Sequence, residues 1–408
     1  LMIPNPAFCD IAIIGGGPAG LMAADTAARS GALVMVFDAM PSVGRKFLMA
    51  GRGGLNLTHG EMFDRFITRY GSASENLLPI IRDFDPAALR SLAADLGQET
   101  FIGSSGRVFP KVMKASPMLR AWLRRLDRAG VIIQSRHRWI GGDLERGLIF
   151  STPAGDQIVR TKAMVLALGG ASWPKLGSDG HWTAWADQMG VAYSPLRASN
   201  CAVFVSWPAP IAARAGMPLK RIALSIGDNR ILSEAVITAT GLEGTGIYAL
   251  SSAIRSSLDD HGSARLEIDL CPDLEIADII ARLGRDRGKK SWSGFLGRVL
   301  SLQPQAIALA MAVIHPTRFG DLDHVSQAHA IKSVVVTITG TAGLERAIST
   351  AGGICFSALD ENLMLRAHPG IFIAGEMLDF DAPTGGYLLQ QAFATGHRAG
   401  QGSANYCR

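Results

Sequence analysis

Apolar and polar positions along this chain switch repeatedly between strand spacing and helix spacing. Residues 9–14 are a short, almost continuously apolar run of strand length. Glycines interrupt the run at 15–17. An alanine-rich stretch of helical texture then continues to about Ser30, and Gly31 stands where a left-handed residue ends a helix. Residues 32–37 are apolar again and close on Asp38. Strand, glycine turn, helix, strand and acid follow one another within about thirty residues, the order of a parallel βαβ unit.

Asp85-Pro86 predicts an N-cap and first helical residue, opening a helix to Leu96. Residues 118–129 predict an amphipathic helix. Leu119, Trp122, Leu123 and Leu126 form its apolar stripe, and Arg120, Arg124, Arg125 and Arg128 its solvated face. Strands are predicted at 131–133 and at 164–168, the second running into Gly169-Gly170, with short strands and glycine turns between. From 193 to 345 the texture changes. β-like runs come first (201–207, 222–226 and 231–240), then helical stretches (275–284 and 302–313). His315-Pro316-Thr317 reads as a helix end. Residues 371–374 return as a buried strand before Gly375-Glu376, and a last helix is predicted from about Gly386 to Ala399. The implied organisation is an α/β chain. A discontinuous dinucleotide domain covers 1–192 and 346–408, and an inserted substrate or cap domain covers 193–345.

Composition narrows the class. The chain has 408 residues, 48% hydrophobic and 18% charged, enough for more than one buried core and incompatible with disorder. The formal net charge of +5 is a mild excess that helps attract an anionic ligand. The densest basic stretch, Arg282, Arg285, Arg287, Lys289 and Lys290, reads as a solvated helix face or loop, so no nucleic-acid partner is expected. Five cysteines without a C-x-x-C spacing exclude a zinc-ligand pattern and a redox dithiol, and no metal is expected. Scattered cysteines fit a reducing cytoplasm. Residues 11–24 lack a basic leader segment, are cut by Asp25 and are too short for a bilayer, so neither a secretory signal nor a membrane span is expected.

The glycine turn carries the first chemistry. Gly15 permits a tight exit from the strand, Gly17 lets the backbone approach a pyrophosphate, and Gly20 lets helix and sheet pack closely. Pro18 and Ala19 open the helix, whose free N–H groups and partial positive charge face the phosphates. Asp38 is placed to accept hydrogen bonds from ribose hydroxyls. Distant segments favour one long cofactor, FAD, over NAD. Ala167-Leu168-Gly169-Gly170 ends one strand, and Gly375-Glu376 ends another, with Glu376 assigned to the ribityl and pyrophosphate region. Thr384-Gly385-Gly386-Tyr387 opens the last helix, whose N–H groups are assigned to the flavin C2=O and N1. No second G-x-G-x-x-G follows a strand, which excludes a separate Rossmann nicotinamide domain.

At these residues the chain resembles the BaiN-type, aminoacetone-oxidase-like bacterial flavoproteins that are NAD(P)- and FAD-dependent. The resemblance covers nearly the whole chain. After the glycine turn it rests on Gly44-Arg45-Lys46-Phe47-Leu48, on residues 51–58 (GRGGLNLT), on Gly106-Arg107-Val108-Phe109-Pro110 and on residues 169–174 (GGASWP). Residues 350–354 (TAGGI), 375–379 (GEMLD), 385–387 (GGY) and 394–396 (ATG) complete it. It implies a glutathione-reductase-like Rossmann FAD-binding domain with an inserted mixed β-barrel-like and helical domain. It also implies that Arg45, Lys46 and Asn56 lie along the FAD and that main-chain groups near Trp139 meet the adenine. Two segments depart from the family pattern, Gly54-Leu55-Asn56 and residues 238–246, which leaves the substrate open.

Arg52 and Arg107 are candidates for a substrate carboxylate, weighed equally against structural salt bridges. His59 is read as a plain loop histidine ahead of a proton donor or a covalent flavin anchor, and Cys355 as a packed thiol. No catalytic acid or base is assigned. The expected activity is hydride transfer at flavin N5 of non-covalently bound FAD. The substrate is a small organic molecule, NAD(P)H is a transient co-substrate, and the pocket lies between the domains. Alternatives are an amine or aldehyde oxidase, and an RNA-modifying or RNA-binding flavoprotein. The oligomeric state is left open.

Overall fold

The computed structural model describes residues 7–314 and 319–408. His315-Pro316-Thr317 lies outside the described residues. The chain divides into two compact units, one made of residues up to Arg197 and from Ser349 onward, the other of Ala198–Ile348.

The first unit is built on a seven-stranded mixed sheet. Its parallel half runs Ile132–Ser135, Val34–Asp38, Ala7–Ile14, Gly155–Leu166 and Ile371–Ile373. The strand Ala7–Ile14 pairs with Val34–Asp38 on one side and with Gly155–Leu166 on the other, so it is central. Buried on both faces, it has the continuous apolar run expected of such a strand. Gly155–Leu166 is longer than the four or five residues its apolar end suggests, because its first half alternates polar and apolar positions along an antiparallel pairing with Gly147–Thr152. Arg138–Asp143 completes that antiparallel half.

Two helices govern the site. Pro18–Ala28 follows the glycine turn and is buried over nearly its whole length. Tyr387–Tyr406 closes the chain and packs along it. The closing helix runs past the predicted end at Ala399. Gly396, Gly400 and Gly402, which read as helix-weakening, lie where a side chain would collide with neighbouring backbone or packed groups. The helix Ala115–Arg128 buries Met118, Leu119, Trp122 and Leu126, and Trp122 stacks on Phe393 with ring centroids 5.1 Å apart. Arg125 does not share the solvated arginine face predicted for it. Its Nε donates at 2.9 Å to the buried Asp25 on Pro18–Ala28. A carboxylate buried on a neighbouring helix captures the one arginine within reach, which spacing along a single helix cannot reveal.

The second unit contains a closed barrel of six strands in the order Val203–Val205, Gly241–Glu243, Asn229–Thr238, Pro218–Ile226, Ala264–Asp269 and Val334–Thr341. Its described pairings are antiparallel. Pro218–Ile226 and Asn229–Thr238 form a hairpin across Gly227-Asp228, with Gly227 at φ 52°. Ile276–Leu283, Trp292–Leu300 and Pro304–Ile314 are helices with their apolar sides in the same core. Ser251–His261 is a helix, and Ala264–Asp269 and Val334–Thr341 are the strands that close the barrel. The hydrophobic pattern had suggested none of the three.

Candidate functional site

The glycine turn is shaped by what stands behind each residue. Gly15 has φ 110°, and a Cβ there would sit 2.2 Å from the Ala167 carbonyl oxygen. A Cβ on Gly20 would sit 1.9 Å from the Gly15 carbonyl oxygen, so only hydrogen fits between helix and strand. Gly17 is the opposite case. It is the N-cap of Pro18–Ala28, and a Cβ there would meet nothing within 4 Å. The helix N-terminus therefore opens onto free space, with Pro18 as its first residue and no side chain capping it. Free N–H groups and the helix dipole make that space attractive to a phosphate, by about 0.3–1 kcal/mol per charge.

Asp38 stands beside this turn. Its carboxylate oxygens accept the N–H of Gly16 at 2.8 Å and of Met40 at 2.7 Å. Burial pushes its pKa up, against those two hydrogen bonds. Each oxygen keeps a lone pair for a ribose hydroxyl. Gly16 completes the fit, because a Cβ there would strike Val43 at 2.3 Å and an Asp38 oxygen at 2.8 Å. The segment leading to Trp139 runs alongside, with the His137 N–H donating to the Asp38 carbonyl at 2.9 Å. The Trp139 ring packs edge-on against Trp185.

A second cluster joins three distant segments. Lys46, on the short helix Arg45–Ala50, places its ammonium 2.6 Å from Glu376, 3.0 Å from Ser172 and 3.3 Å from Ser178. Glu376 also accepts N–H groups from Thr350 at 2.9 Å and Gly170 at 3.3 Å. Gly169 and Gly375 both have positive φ, and Gly375 lies against Ala19, since a Cβ there would be 2.8 Å from the Ala19 Cβ. Arg45, Ala167 and Gly169 are thus gathered with Lys46, Glu376 and the dinucleotide helix.

The third cluster surrounds the start of the closing helix. Gly385 and Gly386 have φ 134° and 98°, and a Cβ on Gly386 would sit 2.5 Å from the Thr58 Cα. Asn56 and Thr58 are therefore held against this helix N-terminus. The Tyr387 side chain turns inward, only 4% exposed, and its hydroxyl donates to Glu61. Only its main chain faces a ligand. Arg69 clasps Glu61 with two hydrogen bonds of 3.1 and 2.8 Å. Burial pushes Glu61 up, but the hydrogen bonds from Arg69 and Tyr387 outweigh it and hold the carboxyl below its ordinary range. His59 stacks on the Tyr387 ring at 5.5 Å. Its Nδ1 accepts the Glu61 N–H at 3.2 Å, which leaves Nε2–H to donate to the Ser105 carbonyl at 3.1 Å.

The residues present fit a long dinucleotide. Arg45 Nε, Asn56 Oδ1, Thr58 Oγ1 and Trp139 Nε1 are buried without a hydrogen-bond partner. Such orphans cost free energy unless something satisfies them. All four fall on segments that run from Asp38, past Lys46, to Gly386. Arg52 and Arg107 stand apart. Arg52 is exposed, Arg107 lies on a strand paired with His59, and among the described residues neither forms an ion pair. Glu61, Arg69, Thr350, Ser172 and Ser178 were not singled out by sequence. Ser172 and Thr350 lie inside recognised motifs, but Glu61 carried no local signal at all. The five cysteines are free, and no group of metal-ligating side chains is assembled among the described residues.

The sequence model for the family described as "HI0933-like protein Rossmann domain" matches residues 9–402. A 3-dehydro-bile acid delta(4,6)-reductase of Clostridium scindens is 28% identical over 97% of this chain and 98% of its own length. A ribosomal RNA dihydrouridine synthase of Haemophilus influenzae is 23% identical over 94% of this chain and 96% of its own. Among solved structures, 3-ketosteroid-delta4-(5alpha)-dehydrogenase of Rhodococcus jostii RHA1 shares the fold, with a TM-score of 0.53 and 16% identity over 99% of this chain and 98% of that one.

Proposed function

This chain belongs to the HI0933-like Rossmann family, which makes it an FAD-dependent oxidoreductase, and we propose that it reduces a carbon–carbon double bond conjugated to a carbonyl in a small organic substrate, with NAD(P)H as electron donor. The observation that carries the FAD reading is the line of orphaned polar atoms and positive-φ glycines from Asp38 to Gly386. The substrate class comes from the relatives. A delta(4,6)-reductase of a 3-dehydro bile acid and a dihydrouridine synthase are both named for saturating a double bond in conjugation with a carbonyl.

The roles of the residues follow from the geometry. The N-terminus of Pro18–Ala28 binds the pyrophosphate, with Gly17 leaving room for it. Asp38 orients the adenosine ribose, and the chain at Trp139 borders the adenine. Lys46 and Glu376 face the ribityl chain, their positions set by Ser172, Ser178 and Thr350. Asn56 and the N–H groups opening Tyr387–Tyr406 border the flavin ring, where the helix dipole favours developing negative charge. Bound non-covalently, FAD supplies hydride donor and acceptor capacity at N5. The Glu61–Tyr387–Arg69 network holds that helix start in place, and the protein acts in the cytoplasm.

The test is an anaerobic visible spectrum of the FAD-loaded protein, titrated with NADH and then NADPH, followed by a cyclic enone such as a 4-en-3-oxo steroid. Bleaching by a nicotinamide and anaerobic recovery on adding the enone is the expected outcome. No flavin band after reconstitution sinks the cofactor assignment. Recovery with oxygen alone points to an oxidase instead. Recovery with uridine in RNA, and not with free enones, replaces the small-molecule substrate by an RNA base.

A further inference from the structure

We infer that the segment 282–298 of the second unit is a docking surface for RNA, gripping the phosphate backbone. This goes beyond the reduction proposed above and does not depend on which double bond is reduced. The segment carries six cationic side chains, Arg282, Arg285, Arg287, Lys289, Lys290 and Arg298, against a single carboxylate, Asp286. Its net +5 equals the formal net charge of the whole chain, so the remaining residues balance to zero. The excess that looked mild over 408 residues is concentrated in seventeen.

The structure also shows that this is not one solvated helix face. Arg282 ends the helix Ile276–Leu283, four of the cations lie on the exposed loop beyond it, and Arg298 belongs to Trp292–Leu300. Arg298 donates back to the Asp286 carbonyl at 3.1 Å and Arg282 to the Val299 carbonyl at 3.4 Å, which folds the six charges into one patch. Among the described residues none of the six has a carboxylate partner. Arg221, Arg230 and Lys332 of the same unit are all paired. Bringing six unneutralised cations together costs free energy that a polyanion would return.

Chemistry selects the partner. Four of the six are arginines, whose planar forks suit phosphate oxygens. Arg287 lies over the Trp292 ring at 5.1 Å, a backed guanidinium on which an unpaired base can stack. A lipid surface fits less well, because no large hydrophobic side chain is exposed between Leu232 and Val313 to enter a bilayer.

The experiment is fluorescence anisotropy of a labelled single-stranded RNA oligonucleotide with the full-length FAD-loaded protein, across a salt series. Six phosphate contacts predict a slope of log affinity against log salt of about −4. The triple variant R285Q/R287Q/K289Q loses about two units of that slope and roughly 100-fold in affinity at ~0.1 M salt. Its flavin content and nicotinamide bleaching stay unchanged, which separates this inference from the FAD assignment. R285K/R287K, which keeps the charge, retains the slope. The inference is overturned by salt-independent or absent RNA binding, by equal binding of the glutamine variant, or by loss of the slope in the lysine variant. Displacement of RNA by duplex DNA, polyglutamate or phosphatidylserine vesicles at equal charge also overturns it.

Discussion

Replacing Gly396 by alanine sets two effects of opposite sign against each other. In a helix interior the substitution normally stabilises by about 1 kcal/mol, because alanine loses less backbone freedom on folding. At this position the new Cβ would lie 2.2 Å from the Ala19 carbonyl oxygen and 3.0 Å from the Ala19 Cα. An ordinary C–H···O contact needs about 3.3 Å, so the two helices must part by roughly 1 Å. Overpacking of this kind costs about 1–3 kcal/mol, and a gap of that width forfeits a quarter to a half of each neighbouring contact. The repulsive side wins, for a net loss of about 1–3 kcal/mol. The displaced backbone belongs to the second residue of the dinucleotide helix, so FAD affinity falls as well. Gly297→Ala is the internal control. It lies inside Trp292–Leu300, its nearest prospective contacts are 3.7 and 3.8 Å away, and it gains up to about 1 kcal/mol. Two compact units need not unfold together, so amide hydrogen exchange within the two helices is the readout. A Gly396→Ala protein as protected as its parent would refute the packing argument.

Glu61→Gln removes the charge that Arg69 and Tyr387 bind, and costs about 1.5–3 kcal/mol at neutral pH. Because the folded-state pKa of Glu61 is depressed, its stabilisation is present above the unfolded carboxyl value and fades as pH falls through the folded one. Acid denaturation of the parent should therefore be steeper than that of Glu61→Gln, and parallel curves would contradict this. Asp38→Asn places an amide N–H2 where Gly16 or Met40 already donates, so calorimetry of FAD binding to the apoprotein should show an affinity loss of roughly 10-fold or more. Unchanged affinity would remove Asp38 from the ribose site. Glu376→Ala frees Lys46 and the N–H groups of Thr350 and Gly170 together, and the protein should release FAD on gel filtration where the parent retains it.

The βαβ unit was legible in the sequence because everything that defines it is local. The period of an apolar run, the sterics of Gly15 and Gly20, and an acid at a strand end all lie within a few turns of chain. The family resemblance was legible for a related reason, since its short motifs mark places where backbone packs too closely for other residues, and the match over residues 9–402 shows it. The solvated role given to Arg125 failed, as did the early end of the last helix, because each depended on an element far away in sequence. Arg125 answers to Asp25, a hundred residues earlier. Gly396 and Gly400 look like helix breakers until Ala19 and Ala23 are seen against them. Glu61 finds Tyr387 across 326 positions and Lys46 finds Glu376 across 330. Spacing along the chain encodes which backbone shapes are allowed. Which distant side chains meet is decided by how the elements pack, and in this protein that choice places the charges, the orphaned donors and acceptors, and the helix N-termini of the site.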